Sequence, residues 1–167
     1  MALIDGMLQE LEQEAQTTRR VLERVPGHQL GWRPHEKART LGQLALHVAT
    51  VPGGVAELVA SPSPAQAPQF ADDPSPKSAS ELIPALDQSI AKATKVLGGM
   101  DDATLMATWR LMAGDRELFA VPRADMLRSV MLNHWYHHRG QLTVYLRELG
   151  VPVPAIYGPS ADENPFA

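Results

Sequence analysis

An all-α fold, a four-helix bundle with a long crossover between its second and third helices, is predicted by three features of the sequence. Four stretches carry apolar residues at spacings of three and four, the signature of one buried helix face. Helix start and stop residues bracket those stretches. A single proline-rich segment, "SPSPAQAPQFADDPSPKS" (61–78), separates the second stretch from the third, and neither flank is large enough to fold alone. One domain over residues 1–167 follows, in the architecture of bundles with one long connection.

The first helix is predicted over residues 3–25, where Ile4, Met7, Leu8, Leu11, Ala15, Thr18, Val21, Leu22 and Val25 form the stripe and Pro26-Gly27 ends it. Thr40 with Gln43 has the capping-box form, in which each side chain satisfies a free backbone N–H of the other residue. It opens a second helix to about Ala60. Pro52 within it removes one backbone donor, which predicts a kink rather than a break. Ser78 with Glu81 repeats the capping pattern before a third helix to about Leu97. Its stripe is Leu82, Leu86, Ile90, Ala93 and Leu97. Residues 108–122 alternate only in part, and Gly114-Asp115 suits the turn of a short hairpin. The longest helix runs from about Ala124 to Leu149, stopped by Gly150 and Pro152.

Composition narrows the function. Fifteen Lys and Arg against nineteen Asp and Glu leave a net charge of −4, which argues against nucleic acid as a partner. No apolar run approaches the roughly 20 residues needed to span a bilayer, and Met1–Glu10 is unlike a signal peptide. The expectation is therefore a cytoplasmic protein with no membrane partner. With no cysteine, disulfides, thiolate ligands and a protein-borne sulfur nucleophile are excluded, so any thiol chemistry needs a thiol from outside.

The chemistry concentrates in "NHWYHHRGQL" (133–142), which holds three of the six histidines. At about 100° per residue with His134 as zero, Leu127, Val130, Met131, Leu142, Tyr145 and Leu149 centre near +35°. On the same projection His138 falls at about +40°, His134 within the stripe, and His137 at about −60°, on or beyond its edge. Two imidazoles one turn apart then enter the core together, and side-by-side ring nitrogens there need partners. A metal supplies them, because residues i and i+4 offer two nitrogens to one ion. A pair of separately hydrogen-bonded core histidines is the alternative. His47, alone on the second helix and at the margin of its stripe, is a third ligand that geometry permits without demanding. His28 and His35 flank turn residues and read as solvated.

"LNHWYHHRGQLTVYLRELGVPVPAIYGPSADE" (132–163) and "WRPHEKARTLGQLALHVATVPGG" (32–54) closely resemble the fourth-helix and second-helix signatures of the DinB/YfiT-like family. The resemblance extends over nearly the whole chain, with the proline-rich crossover its least family-like part. It implies an up-down-down-up four-helix bundle with a metal held by His47, His134 and His138. The implied ion is usually nickel or zinc and sometimes another divalent metal, with water in the open positions, and a homodimer is implied as well.

Three neutral imidazoles leave a bound divalent ion its full charge and open positions, which suits deprotonation of water or a thiol near neutral pH. The chain resembles family members that are thiol S-transferases using bacillithiol, mycothiol or glutathione, and that transfer to an electrophilic small molecule is the expected activity. No strong general base is evident; Gln141 is placed to orient a ligand but not to take a proton. Metal-dependent hydrolysis and a non-catalytic, stress-induced metal binder are the alternatives.

Overall fold

The computed structural model describes residues 2–68 and 73–166; residues 69–72, in the middle of the predicted crossover, lie outside them. The chain is mostly helical with one small sheet. Helix α1 (Leu3–Leu22) is followed by α2 (Leu41–Ala60), strand β1 (Ala65–Gln66), α3 (Leu82–Leu97) and a short α4 (Asp102–Met106). Strands β2 (Thr108–Ala113) and β3 (Arg116–Pro122) lead into a continuous helical run. That run comprises α5 (Arg123–Met126), a π-helical segment (Leu127–Asn133) and α6 (His134–Glu148). Four long helical stretches therefore lie where the periodicity placed them, around one core that includes Leu11, Leu44, Leu86, Leu97, Leu127 and Leu142.

The all-α expectation is corrected by the sheet. β2 and β3 pair antiparallel around a loop of Gly114 and Asp115, and Gly114 takes φ +60° at the first loop position, where glycine costs least. The hairpin is thus the one that Gly114-Asp115 suggested. β1, inside the crossover, adds in parallel to β2, a pairing that two residues of strand give no sequence signal for.

Local chemistry explains the helix ends. Thr40 Oγ1 accepts from the Gln43 N–H at 3.2 Å and Gln43 Oε1 accepts from the Thr40 N–H at 2.8 Å, completing the predicted capping box. The second box does not form. Ser78 instead caps a 3-10 turn through the Ser80 N–H, and α3 begins after it at Leu82, with Pro84 in its first turn. Helix α1 stops at Leu22, three residues before the predicted end, although Val25 is still buried. At the end of α6, Gly150 (φ +69°) lets its own N–H reach Arg147 O and the Val151 N–H reach Leu146 O, the bond pair of a Schellman cap.

Pro52 sets the register of the site. Lacking an N–H, it leaves the Val48 carbonyl without its helical donor, and the buried indole Trp135 Nε1 donates to that oxygen at 2.7 Å. The next N–H, of Gly53, is taken by Ser89 Oγ of α3 at 2.8 Å, and a Cβ on Gly53 would lie 2.8 Å from the Ser89 carbonyl. The helix therefore continues through Pro52, held by neighbours on both sides, and Trp135 locks α6 antiparallel to α2. Trp135→Phe should cost about 1–3 kcal/mol by leaving Val48 O unsatisfied in a buried site, beyond the smaller ring's own packing loss. Denaturant titration checks this against Trp135→Phe combined with Pro52→Ala, in which the restored helical N–H should return part of the loss.

Helix α2 is long and apolar enough, by length and composition, to cross a membrane, which revises the expectation that no stretch approaches that length. In this fold Leu41, Leu44, Val48, Val51 and Val59 of that helix are packed in the core.

Candidate metal centre

His47 lies two turns into α2, His134 opens α6 and His138 follows one turn later. The Trp135–Val48 link brings their rings together: Nε2 of His47 and Nε2 of His134 are 3.1 Å apart, and the His138 ring centroid is 4.5 Å from each of the other two. Each residue offers one ring nitrogen within 4.8 Å of the others. Two nitrogens bound to one ion at about 2.0–2.1 Å and at cis or tetrahedral angles stand roughly 2.9–3.4 Å apart, and the 3.1 Å pair falls in that range. The donor set fits a divalent ion.

Protonation points the same way. His138 Nδ1 is 2.7 Å from Gln141 Oε1; an amide oxygen only accepts, so Nδ1 carries the proton and Nε2 keeps its lone pair toward the cluster. Burial holds His47 and His138 down at about 4, assisted for His47 by the charge of Arg39 and for His138 by His134 and Arg39, while the Gln141 bond opposes the shift at His138. His134 is also lowered, by burial and then by Arg39 and His137. All three rings are neutral at neutral pH, the form that binds a metal.

The other histidines stay apart. His137 is exposed and outside the cluster, its ring 5.0 Å from that of His138, and His28 and His35 are exposed as expected. Two surface clefts of about 530 and 500 Å3, one under the C-terminal tail and one between α1 and α3, are lined by no histidine.

The helical projection of the last helix needs correction. Besides His138 and Leu142, the buried residues of α6 are Trp135, Arg139 and Leu146, which centre the face near about +95° rather than +35° on the same wheel. His138 therefore lies at the edge of the buried face and His134 outside it, half-buried. The histidines line a margin facing α2 rather than the middle of the core, and this leaves the cluster reachable. One cause is the π-helical segment immediately before His134, whose wider turn breaks a constant angle per residue and buries the successive residues Met131 and Leu132.

Three residues, two beside the cluster and one behind it, escaped sequence reasoning. Arg39 precedes the α2 cap, and its guanidinium pairs with Asp73 from the returning end of the crossover. Gln43 Nε2 donates to the Asp73 carbonyl at 3.0 Å. Asp73 is held below the usual carboxylate range, mainly by its hydrogen bond from Arg39, with smaller effects of His47 and His138. Nothing in a proline-rich segment signals such a return. Arg139 is the third: buried, on the far side of α6 from the cluster, it pairs with Glu14 at 2.6 Å.

Comparison with known proteins agrees with this architecture. Residues 2–165 match the DinB family. The protein YrdA of Bacillus subtilis (strain 168) is 29% identical over 161 residues, 96% of this chain and 91% of that one. A crystal structure of a DinB-like protein from Bacillus cereus ATCC 10987 superposes with TM-score 0.71 at 25% identity, covering 92% of this chain and 97% of that chain. A DinB-like protein from Bacillus subtilis gives TM-score 0.67 at 18% identity over 90% of this chain and 97% of that chain. On a family match spanning nearly its whole length, the chain belongs to the DinB family.

Proposed function

We propose that His47, His134 and His138 hold one divalent ion, nickel or zinc, and that the protein is a transferase that activates a low-molecular-weight thiol of the bacillithiol, mycothiol or glutathione type. The observation that carries this reading is a cluster of three neutral imidazoles with no carboxylate among its donors in the described residues. A divalent ion there would supply a Lewis-acidic centre of undiminished charge, which favours an ionised thiol near neutral pH. The chain's own residues do the rest. Gln141 fixes the tautomer of His138, burial keeps the rings unprotonated, and the edge position of the histidines leaves a small molecule access. The four long helical stretches serve as the up-down-down-up bundle that the family resemblance implies.

In the reaction, the thiol S–H proton passes to solvent, and a sulfur lone pair forms a carbon–sulfur bond with the acceptor. The acceptor's leaving group departs with the electron pair of the bond that breaks. The absence of cysteine from the chain means that the sulfur comes from the cosubstrate. To test this, protein purified without a histidine tag is assayed for metal, then incubated with a panel of thiols and an aryl chloride. The expected product is the thioether of the added thiol, formed only when thiol is present and lost in His134→Ala together with the metal. Substrate consumption equally fast without thiol would replace transfer by hydrolysis, and no turnover across the panel would favour a metal binder without catalysis.

A further inference from the structure

We infer that Arg39 is a specificity-determining residue that selects, for the histidine cluster, ligands carrying an anionic group several bonds from the atom that enters the cluster. The inference rests on the metal-site reading above and names the charge class of its ligand. Its basis is the layering of α2 against α6. Trp135 Nε1 on Val48 O and Tyr145 OH on Arg39 O, at 2.7 and 3.2 Å, fix the two helices antiparallel. Between these links come the histidine cluster, then Gln43 with Gln141, then Arg39 with Tyr145. Gln43 is four residues from His47, about 6 Å along the axis. The guanidinium of Arg39 is drawn to that same level, because it pairs with Asp73, whose backbone is held by Gln43.

The Arg39–Asp73 pair alone could be read as a clasp for the crossover. Two observations argue for more. Gln43 already ties Asp73 through its carbonyl, and the crossover is further seated at Gly42, where a Cβ would lie 2.6 Å from Ser75 Oγ and 3.2 Å from Pro76 Cδ. The clasp is therefore present without the ion pair. Moreover Arg39 meets Asp73 only through Nε; among the described residues its two terminal nitrogens make no hydrogen bond, and the side chain remains 34% exposed. A guanidinium with a free fork matches a carboxylate or phosphate in two parallel hydrogen bonds. Asp73, which this guanidinium pairs with, is tied to Gln43 one turn of α2 from His47, so the fork lies on the cluster's side of the α2 N-terminus.

The test uses zinc-loaded full-length protein and two probes with the same metal-binding head, acetohydroxamate and succinic monohydroxamate, which differ by a carboxylate on a short chain. Affinities are read by titration calorimetry at low salt, after zinc content is measured. The charged probe should bind about tenfold more tightly, and the preference should shrink as salt is raised. Arg39→Gln should abolish the preference by weakening the charged probe far more than acetohydroxamate, and Asp73→Asn should strengthen the charged probe by removing the competing carboxylate. Equal binding of both probes to zinc-loaded wild-type protein, binding of neither, or an unaltered preference in Arg39→Gln would overturn the inference and leave the metal site standing. Protein that takes up no zinc would overturn both.

Discussion

Arg139→Met is expected to remove about 3–5 kcal/mol of stability, because it strips a buried ion pair of one partner and leaves the other uncompensated. The Arg139 side chain is 2% exposed and that of Glu14 is 14% exposed. Besides Glu14 Oε2 at 2.6 Å, the guanidinium donates to Thr18 Oγ1 at 3.1 Å and to Tyr157 OH at 2.6 Å, and lies 5.2 Å from the ring centroids of Tyr136 and Tyr157. It thus joins α1, α6 and the C-terminal tail. After substitution the Glu14 carboxylate keeps the Tyr157 hydroxyl at 3.0 Å, too little for a charge in that position. The melting temperature should fall by roughly 10 °C or more in a chain of this size. Adding Glu14→Leu to Arg139→Met should recover much of the loss, since an apolar pair of similar volume often replaces a buried ion pair without cost. A loss under about 1 kcal/mol in the single variant would show that solvent reaches Glu14 and that the network is an ordinary surface pair.

The second large effect is metal linkage. An ion bound only by the folded cluster stabilises it by about 2.7 kcal/mol when free metal is a hundredfold above its dissociation constant. Chelation should lower the melting temperature reversibly, and His138→Ala should abolish the response. For the metal-free protein the pH dependence has a definite sign. Folded His47 and His138 titrate near 4, against 6.5 ordinarily, so between those values the unfolded chain binds more protons than the folded one. Stability is then full above about 6.5 and is lost as pH falls toward about 4. The same depression weakens proton competition for the ligands, so metal should stay bound below pH 6.5, where free imidazoles release it. Metal-free protein with a flat melting temperature from about pH 7 to 4.5 would contradict the buried, neutral state of the cluster.

Much of this was legible in the sequence where the signal is local. The Thr40–Gln43 cap, the Gly150 stop and the Gly114 turn depend on a few adjacent residues, and each occurs as read. The i,i+4 spacing of His134 and His138 survives any error in the wheel, because one turn of helix keeps them neighbours. Their depth does not survive it. Trp135 and Arg139 belong to the buried face of α6, and a charged residue on that face is unreadable until Glu14 of α1 is known to be opposite. His47 sat at a margin on its own helix, and only a tertiary bond, Trp135 to the carbonyl freed by Pro52, sets it against His134. Arg39 and Asp73 meet across 34 residues, a pairing that no period or motif encodes.

Metal stoichiometry tests the central claim most directly. Wild-type protein, His138→Ala and His137→Ala, purified without a tag and loaded under identical conditions, are compared by elemental analysis. The expected result is about one ion per protomer in wild type and in His137→Ala, and a near-complete loss in His138→Ala. Full occupancy in His138→Ala, or an equal loss in His137→Ala, would show that the ion is held by some other set of residues.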